Sequence, residues 1–238
     1  MVKGSEDRYL SGHYLAQNPT WDEEDSPWKA AKIAHLLKEY QIAPKSLCEV
    51  GCGAGGVLAA LREHLGPECL LVGYDIATPL EEFWQKHASK RIKFILGDFV
   101  NSSRNDFYDV LLMIDVLEHL ENPLGFLRST LRRANWLVLH IPLEIHALGA
   151  LRSSPFLRAY HKIGHLHYWN KDLALSMLSD CGLQPLHWEY TAGTVELPTA
   201  LRLRQFARWP RKFCFAIAPD LAVRALGGYS LLVLAKPY

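Results

Sequence analysis

The stretch Glu49-Val50-Gly51-Cys52-Gly53-Ala54-Gly55-Gly56 constrains this chain more than any other. It follows an apolar run, Leu47 to Val50, and precedes Val57, Leu58, Leu61 and Leu65 at helical spacing. A strand therefore runs into a glycine turn that opens a helix. Open α/β sheets place nucleotide ligands at such turns, at the carboxyl ends of their strands. Glycines suit the position because side chains would block close approach of a ligand to the backbone. Gly51-x-Gly53-x-x-Gly56 fits the dinucleotide fingerprint literally, with Asp75 near the spacing of a ribose-binding acid. The glycine pattern alone does not choose a cofactor.

Around the turn, strand and helix patterns alternate. Strands are expected at 46–51, 69–75, 92–97, 108–114 and 135–141, and helices at 55–65, 79–89 and 123–133. This spacing predicts a doubly wound, mostly parallel sheet. The apolar runs Leu70-Leu71-Val72 and Val110 to Ile114 suit strands covered on both faces. Before them, Ser26-Pro27 reads as a helix start, and Ile33, Leu36, Leu37 and Tyr40 define an amphipathic helix over 27–40. Residues 143–169 are rich in histidine and aromatics without a period. Asn170 caps a helix at 171–181 that Gly182 ends. Strands at 184–191 and 229–235 flank a basic, apolar, helical insertion at 197–227. The expected organisation is an amino-terminal lid and helix over 1–45, then one α/β domain over 46–238 with a loop at 143–170 for the acceptor.

With 238 residues, 49% hydrophobic and 21% charged, one decorated α/β domain is the natural size. A net charge of +1 gives no global field toward nucleic acid or membrane. Five cysteines (48, 52, 69, 181, 214) without CxxC spacing read as reduced thiols of a cytoplasmic protein. The amino terminus shows no charged-then-apolar signal pattern, and no apolar window reaches about 18 residues, so neither a secretory leader nor a spanning helix is expected.

Further features lie where the strands end: Gly73-Tyr74-Asp75-Ile76, Gly97-Asp98-Phe99, and Asp115-Val116-Leu117-Glu118-His119 after 108–114. Together with Glu49 two residues before Gly51, this series resembles class I S-adenosylmethionine-dependent methyltransferases of the small-molecule type, over roughly residues 30–238. The resemblance implies a seven-stranded sheet whose last strand is antiparallel. It also implies roles. Gly51 and Gly53 face the methionine and ribose portions of S-adenosylmethionine, and Glu49 anchors the methionine amino group. Asp75 accepts from both ribose hydroxyls, with Ile76 beside it. Asp98 meets the adenine amino group with Phe99 as a neighbouring contact, and Asp115 lies by the sulfonium.

The Asp115-x-x-Glu118-His119 spacing is similar to the acidic-x-x-Glu-His segment of ubiquinone-pathway O-methyltransferases, where it can hold a divalent ion beside a catechol. The same letters are widespread in metal-free small-molecule methyltransferases, so metal binding by Asp115, Glu118 and His119 is the minority reading. His119, with an ordinary pKa of about 6.5, is the expected general base. His140 ends the strand at 135–141. His165, His167 and Trp169 precede the helix at 171, and all four are candidate acceptor contacts. On an extended segment His165 and His167 would face the same side.

The expected activity is methyl transfer to an oxygen, or a nitrogen, of a small molecule. Two rivals stand: a non-catalytic S-adenosylmethionine-binding module, and an NAD-dependent oxidoreductase on the literal GxGxxG. The Tyr-x-x-x-Lys pair of short-chain dehydrogenases is missing. Nucleic acid is disfavoured because the Asn/Asp-Pro-Pro-aromatic signature of adenine methyltransferases does not occur. Trp21 and Trp28, in or beside a polar stretch, suit a lid over the cofactor. The basic amphipathic segment at 197–227 suits a peripheral membrane contact, an anionic substrate, or a plain cap over the pocket. The oligomeric state is not legible.

Overall fold

A computed structural model describes residues 15–16, 18–21, 23–101, 106–197 and 202–238, with side chains of the last stretch from Arg208 onward. In chain order the first half comprises α1 (Ser26–Glu39), β1 (Ser46–Val50), α2 (Gly56–Leu61), β2 (Leu70–Asp75), α3 (Glu81–His87), β3 (Ile92–Leu96) and β4 (Tyr108–Ile114). There follow α4 (Pro123–Thr130), β5 (Ala134–Leu143), α5 (Ala147–Arg152), α6 (Ser154–Arg158), α7 (Lys171–Asp180) and β6 (Leu183–Thr191). The chain closes with α8 (Gly193–Glu196), α9 (Arg202–Ile217), α10 (Pro219–Leu226) and β7 (Tyr229–Pro237).

Among the described residues the strands form one seven-stranded sheet in the order β3-β2-β1-β4-β5-β7-β6. The first five strands pair in parallel, and β7 runs antiparallel between β5 and β6. Chain order reverses between β1 and β4, the switch point at which open α/β sheets bind ligands. Both faces of the sheet are covered. Ile33, Leu36, Leu37, Leu58, Leu61 and Trp84 from α1, α2 and α3 fill one side. Leu127, Ala174, Leu178 and Val223 from α4, α7 and α10 fill the other. Central β4 therefore needs an almost unbroken apolar run, whereas edge strand β6 tolerates Pro185 at a bulge.

Most expected elements sit within a few residues of their sequence bounds, and the exceptions have local causes. The helix expected over 79–89 divides into a tight turn at Thr78–Leu80 and α3. Pro79 lies in that turn, and a proline suits a helix start and not its interior. Ser26 does not cap α1: Asp25 occupies that position without a side-chain capping bond, and Ser26 is buried as the first residue of the helix. Asn170 does cap α7, its Oδ1 accepting from the Leu173 amide at 2.8 Å. Gly182 follows with φ +94°. The aperiodic stretch 143–169 contains two short helices and a wide turn at Ala159–Ile163, too short for an amphipathic period to show.

Candidate active site

β1 delivers the chain into the glycine turn, where Gly51 (φ +72°) and Gly53 (φ +51°) adopt backbone that other residues rarely reach. Space is short as well. A Cβ at Gly53 would lie 2.7 Å from Trp21 Cδ1, so the tryptophan ring lies across the turn. The turn is tied to the next strand. The Gly53 amide donates to Asp75 Oδ2 at 2.9 Å, the Ala77 amide donates to Asp75 Oδ1 at 3.0 Å, and Trp84 Nε1 donates to the Gly53 carbonyl at 2.9 Å. Asp75 thus braces the turn while remaining on the cavity wall beside Ile76.

Glu49 stands one strand position before Val50, paired in register with Gly73 of β2 and Leu112 of β4. It is 2% exposed, and its Oε2 has no hydrogen-bond partner. Burial pushes its pKa up to about 8, Lys29 opposes the rise, and the Asp75 and Asp115 charges add to it. Asp98 also faces the cavity but is locally engaged, accepting from the Val100 amide at 2.8 Å and from Asn101 Nδ2. Phe99 touches the cavity, yet its ring is mostly core. It meets Tyr74 edge-on at 5.2 Å and carries the Arg133 guanidinium 4.2 Å from its centroid.

At the end of β4, Asp115 takes φ +55°. Its two oxygens hold Lys29 Nζ at 2.8 Å and His140 Nδ1 at 2.6 Å. The other His140 nitrogen meets Thr191 Oγ1 at 2.8 Å. Burial alone would raise the Asp115 pKa, but His140 and Lys29 outweigh it and hold the carboxyl well below the usual carboxylate range. A chain of four side chains thus ties α1, β4, β5 and β6 together across the mouth of the sheet. Asp115 is an engaged ion-pair centre, and its lowered pKa makes it a poor proton acceptor. His140, expected as an acceptor contact, lines the cavity, and its two ring nitrogens are engaged by Asp115 and Thr191.

The next turn carries Glu118 and His119. The 164–167 segment docks on it, with the Leu166 and His167 amides donating to the Glu118 carbonyl at 2.7 and 3.2 Å. This brings His165 beside His119, ring centroids 4.8 Å apart and edge to face. His119 Nδ1 donates to the Gly164 carbonyl at 3.3 Å, and His165 Nδ1 donates to Glu144 Oε2 at 2.7 Å. A carbonyl or a carboxylate can only accept, so each imidazole keeps Nε2 as its acceptor nitrogen. Glu118 is 1% exposed, and neither carboxyl oxygen has a partner. Burial, then the nearby Asp115 and Glu144 charges, raise its pKa well above the carboxylate range.

The structure redraws the candidate metal set. Asp115 is held by Lys29 and His140. Among the described residues, Glu118, His119 and His165 instead bring one potential ligand atom each to within 4.8 Å of one another. Two imidazoles and one carboxylate suit a transition ion better than a hard divalent ion, which wants oxygen throughout. His167 and Trp169 are a second correction. They stack on each other at 5.8 Å and do not line the cavity. The segment is bent by its docking on Glu118, so the alternation of an extended strand does not apply.

Glu49, Gly51, Gly53, Asp75, Ile76, Asp98, Asp115, Glu118, His119, His140 and His165 line one cavity of about 690 Å³. That volume is within the range of small-molecule sites. Three contributors have no mark in the local sequence pattern: Lys29 on α1, Glu144 just past β5 and Thr191 at the end of β6. Their only signal is that buried acids and histidines need partners.

The methyltransferase-domain family Methyltransf_23 matches residues 23–187, and the chain belongs to that family. A mitochondrial ubiquinone biosynthesis O-methyltransferase from Schizosaccharomyces pombe is 33% identical over 141 residues, covering 51% of this chain and 49% of that protein. A norajmaline N-methyltransferase from Rauvolfia serpentina is 25% identical over 118 residues, covering 44% and 38%. The chain therefore spans half or less of the length of these curated relatives. Among solved structures, the plantazolicin methyltransferase BpumL in complex with a monoazolic desmethylPZN analog and SAH superposes with a TM-score of 0.62. It is 17% identical, over 98% of this chain and 94% of that one. The expected fold, a Rossmann-like methyltransferase sheet with an antiparallel last strand, is the observed one.

Proposed function

We propose that this chain transfers the methyl group of S-adenosylmethionine to a small-molecule acceptor, at a hydroxyl oxygen in preference to a nitrogen. The observation that carries the reading is one cavity that holds both a glycine turn, with a buried Glu49 whose Oε2 has no hydrogen-bond partner among the described residues, and the Glu118–His119–His165 cluster. The first wall suits the cofactor. Glu49 lacks a partner for Oε2, and the methionine ammonium would supply one. The turn amides and Asp75 accept the ribose end, Ile76 and Asp98 the adenine end, and Trp21 lies over the turn as the described part of a lid.

The bound sulfonium supplies an activated methyl carbon, so the residues of this chain align the acceptor, exclude water and take up one proton. As the acceptor oxygen bonds to the methyl carbon, the carbon–sulfur bond breaks and its electron pair stays on a neutral thioether. The hydroxyl proton passes to His119, whose ring lines the cavity and is oriented by the Nδ1 contact to the Gly164 carbonyl. His165, oriented by Glu144, is the neighbouring second base. Glu118 lines the cavity beside His119 and can hold the acceptor in place through its carboxyl group. Asp115 acts as a positioning residue that fixes Lys29 and His140. The norajmaline enzyme, by name an N-methyltransferase, keeps nitrogen open as the acceptor atom.

The test is thermal unfolding with S-adenosylhomocysteine, with NAD in parallel, followed by labelled-methyl transfer to a panel of phenols and amines. At about 100 times Kd a ligand adds roughly 2.7 kcal/mol, or about 5–10 °C in Tm for a chain of this size. A rise with NAD alone would reinstate the oxidoreductase reading. A rise with S-adenosylhomocysteine and no turnover on any acceptor would favour a binding module.

A further inference from the structure

Helix α9 is turned inside out relative to a helix on the surface of a water-soluble domain. Its inward side carries two arginines. Arg208 donates through both Nε (3.0 Å) and a terminal nitrogen to the Val195 carbonyl, and Arg211 donates to the Gly227 and Leu226 carbonyls at 2.6 and 3.1 Å. Between them and the sheet, Phe215 stacks on Tyr229 with centroids 4.9 Å apart. The outward side carries Trp209, Phe213 and Ile217, which are 76%, 68% and 67% exposed. These three recur at every fourth position, so they form one stripe along the helix. Leu221, at the next such position and 67% exposed, lies at the start of α10.

Water is a poor environment for such a stripe, and contiguous exposed apolar surface marks an interaction site. The charge pattern says what covers it. No Asp or Glu occurs between Glu196 and Asp220, while Arg202, Arg204, Arg208, Arg211 and Lys212 all do, in a chain whose net charge is only +1. Lys212 is exposed beside the stripe. An apolar stripe with the exposed Lys212 beside it, in a segment without acidic residues, suits an anionic bilayer surface, where the rings enter the acyl boundary and the ammonium meets lipid phosphates. A second copy of this chain would set Lys212 against the same basic segment with no acid there to pair it. Among the described residues no helix is long and apolar enough to cross a membrane, so the contact is peripheral.

We infer that this protein docks on anionic membranes through the outer face of α9, with Trp209, Phe213 and Ile217 inserted and Lys212 at the headgroups. The arginine bonds give the docking a direction. They anchor α9 to the segments at 193–197 and 226–228, and Gly193, Thr194, Leu197 and Gly228 line the cavity. The bilayer then lies on the side of the molecule that carries this wall of the site. The inference stands independently of methyl transfer.

The test is flotation of the full chain with vesicles of phosphatidylcholine containing about a third phosphatidylglycerol, beside vesicles of phosphatidylcholine alone. Co-flotation with the anionic vesicles is expected, weakening several-fold without phosphatidylglycerol and in high salt. The triple substitution W209A/F213A/I217A should lower partitioning at least tenfold, since about 1.5–3 kcal/mol accompanies burial of each large apolar side chain. Its Tm should be unchanged because the removed groups face solvent. K212E should lower partitioning about fivefold or more, with Tm equally unchanged. Failure of the wild-type chain to float at low salt, or equal flotation of the triple variant, would overturn the inference. So would concentration-dependent dimerisation in sedimentation velocity that the triple variant abolishes while vesicles bind neither protein.

Discussion

At the ends of β1 and β2, the cavity wall is built from backbone: Gly51 and Gly53 at positive φ, with the Gly53 and Ala77 amides fixed by Asp75. Beyond β4 and β5, the opposite wall is built from side chains of distant origin: Lys29 with Asp115 and His140, and His119 with His165 and Glu144. The first construction is local and repeats in any chain with the same turn. The second depends on contacts between residues far apart in the chain. A common cofactor fits the first kind of wall and a variable acceptor the second. If so, substitutions on the two walls must separate in their kinetics.

The largest separation should come from His119→Ala. Loss of a general base typically costs about 100- to 10,000-fold in rate, so kcat should fall in that range while S-adenosylhomocysteine binding, measured by calorimetry, stays unchanged. A matching loss of affinity would erase the distinction between the walls. Asp75→Ala should do the reverse. It should weaken S-adenosylhomocysteine binding by about 100-fold or more, since charge-assisted hydrogen bonds are worth about 1.5–3 kcal/mol each. Unchanged affinity would remove Asp75 from the cofactor wall.

Glu49 sharpens the comparison because its proton is linked to stability. Its raised pKa means that, between the ordinary carboxylate range and about pH 8, the folded chain keeps a proton that the unfolded chain releases. Stability from this group is full in acid and is lost as pH rises through that window. Glu49→Gln removes the ionisation. The variant should be more stable than the parent by about 1–3 kcal/mol near pH 8, converging with it toward pH 4, while cofactor binding weakens at every pH. Parallel stability curves would show that Glu49 is not a strained buried acid.

Trp21→Ala should produce a smaller effect, a few-fold weaker S-adenosylhomocysteine affinity, since only one side of the ring faces the turn. No change would remove Trp21 from the cofactor wall. The smallest expected effect is that of a chelator. With His119 as the base, o-phenanthroline should leave kcat unchanged; a loss restored by added zinc or manganese would make Glu118, His119 and His165 a metal centre.

Residues that act through their own backbone neighbourhood could be found in the sequence. The glycine turn, Glu49 before it, Asp75 and Asp98 at strand ends and the Glu118-His119 pair all lie where a parallel sheet must present them. The misplaced residues act through contacts distant in sequence. His167 and Trp169 were expected at the acceptor because an extended segment alternates, but docking of 166–167 on the Glu118 carbonyl breaks the alternation. The partner of the second His140 nitrogen, Thr191, lies fifty-one residues on, beyond any local pattern.

The alternation of strands and helices and the position of the glycine turn are written in the chain, because hydrophobic period and glycine placement are local properties. Only the tertiary structure decided which charges meet. Lys29 and Asp115 are far apart in the chain, as are His119 and His165, and no periodicity encodes those distances. Likewise, the basic character of 202–217 was plain from composition. Arg208 and Arg211 turned toward carbonyls, and Trp209 and Phe213 toward solvent, became visible only once the helix was set against Val195 and Leu226. Burial and partner choice are properties of the assembled fold, and they decide what a side chain can do.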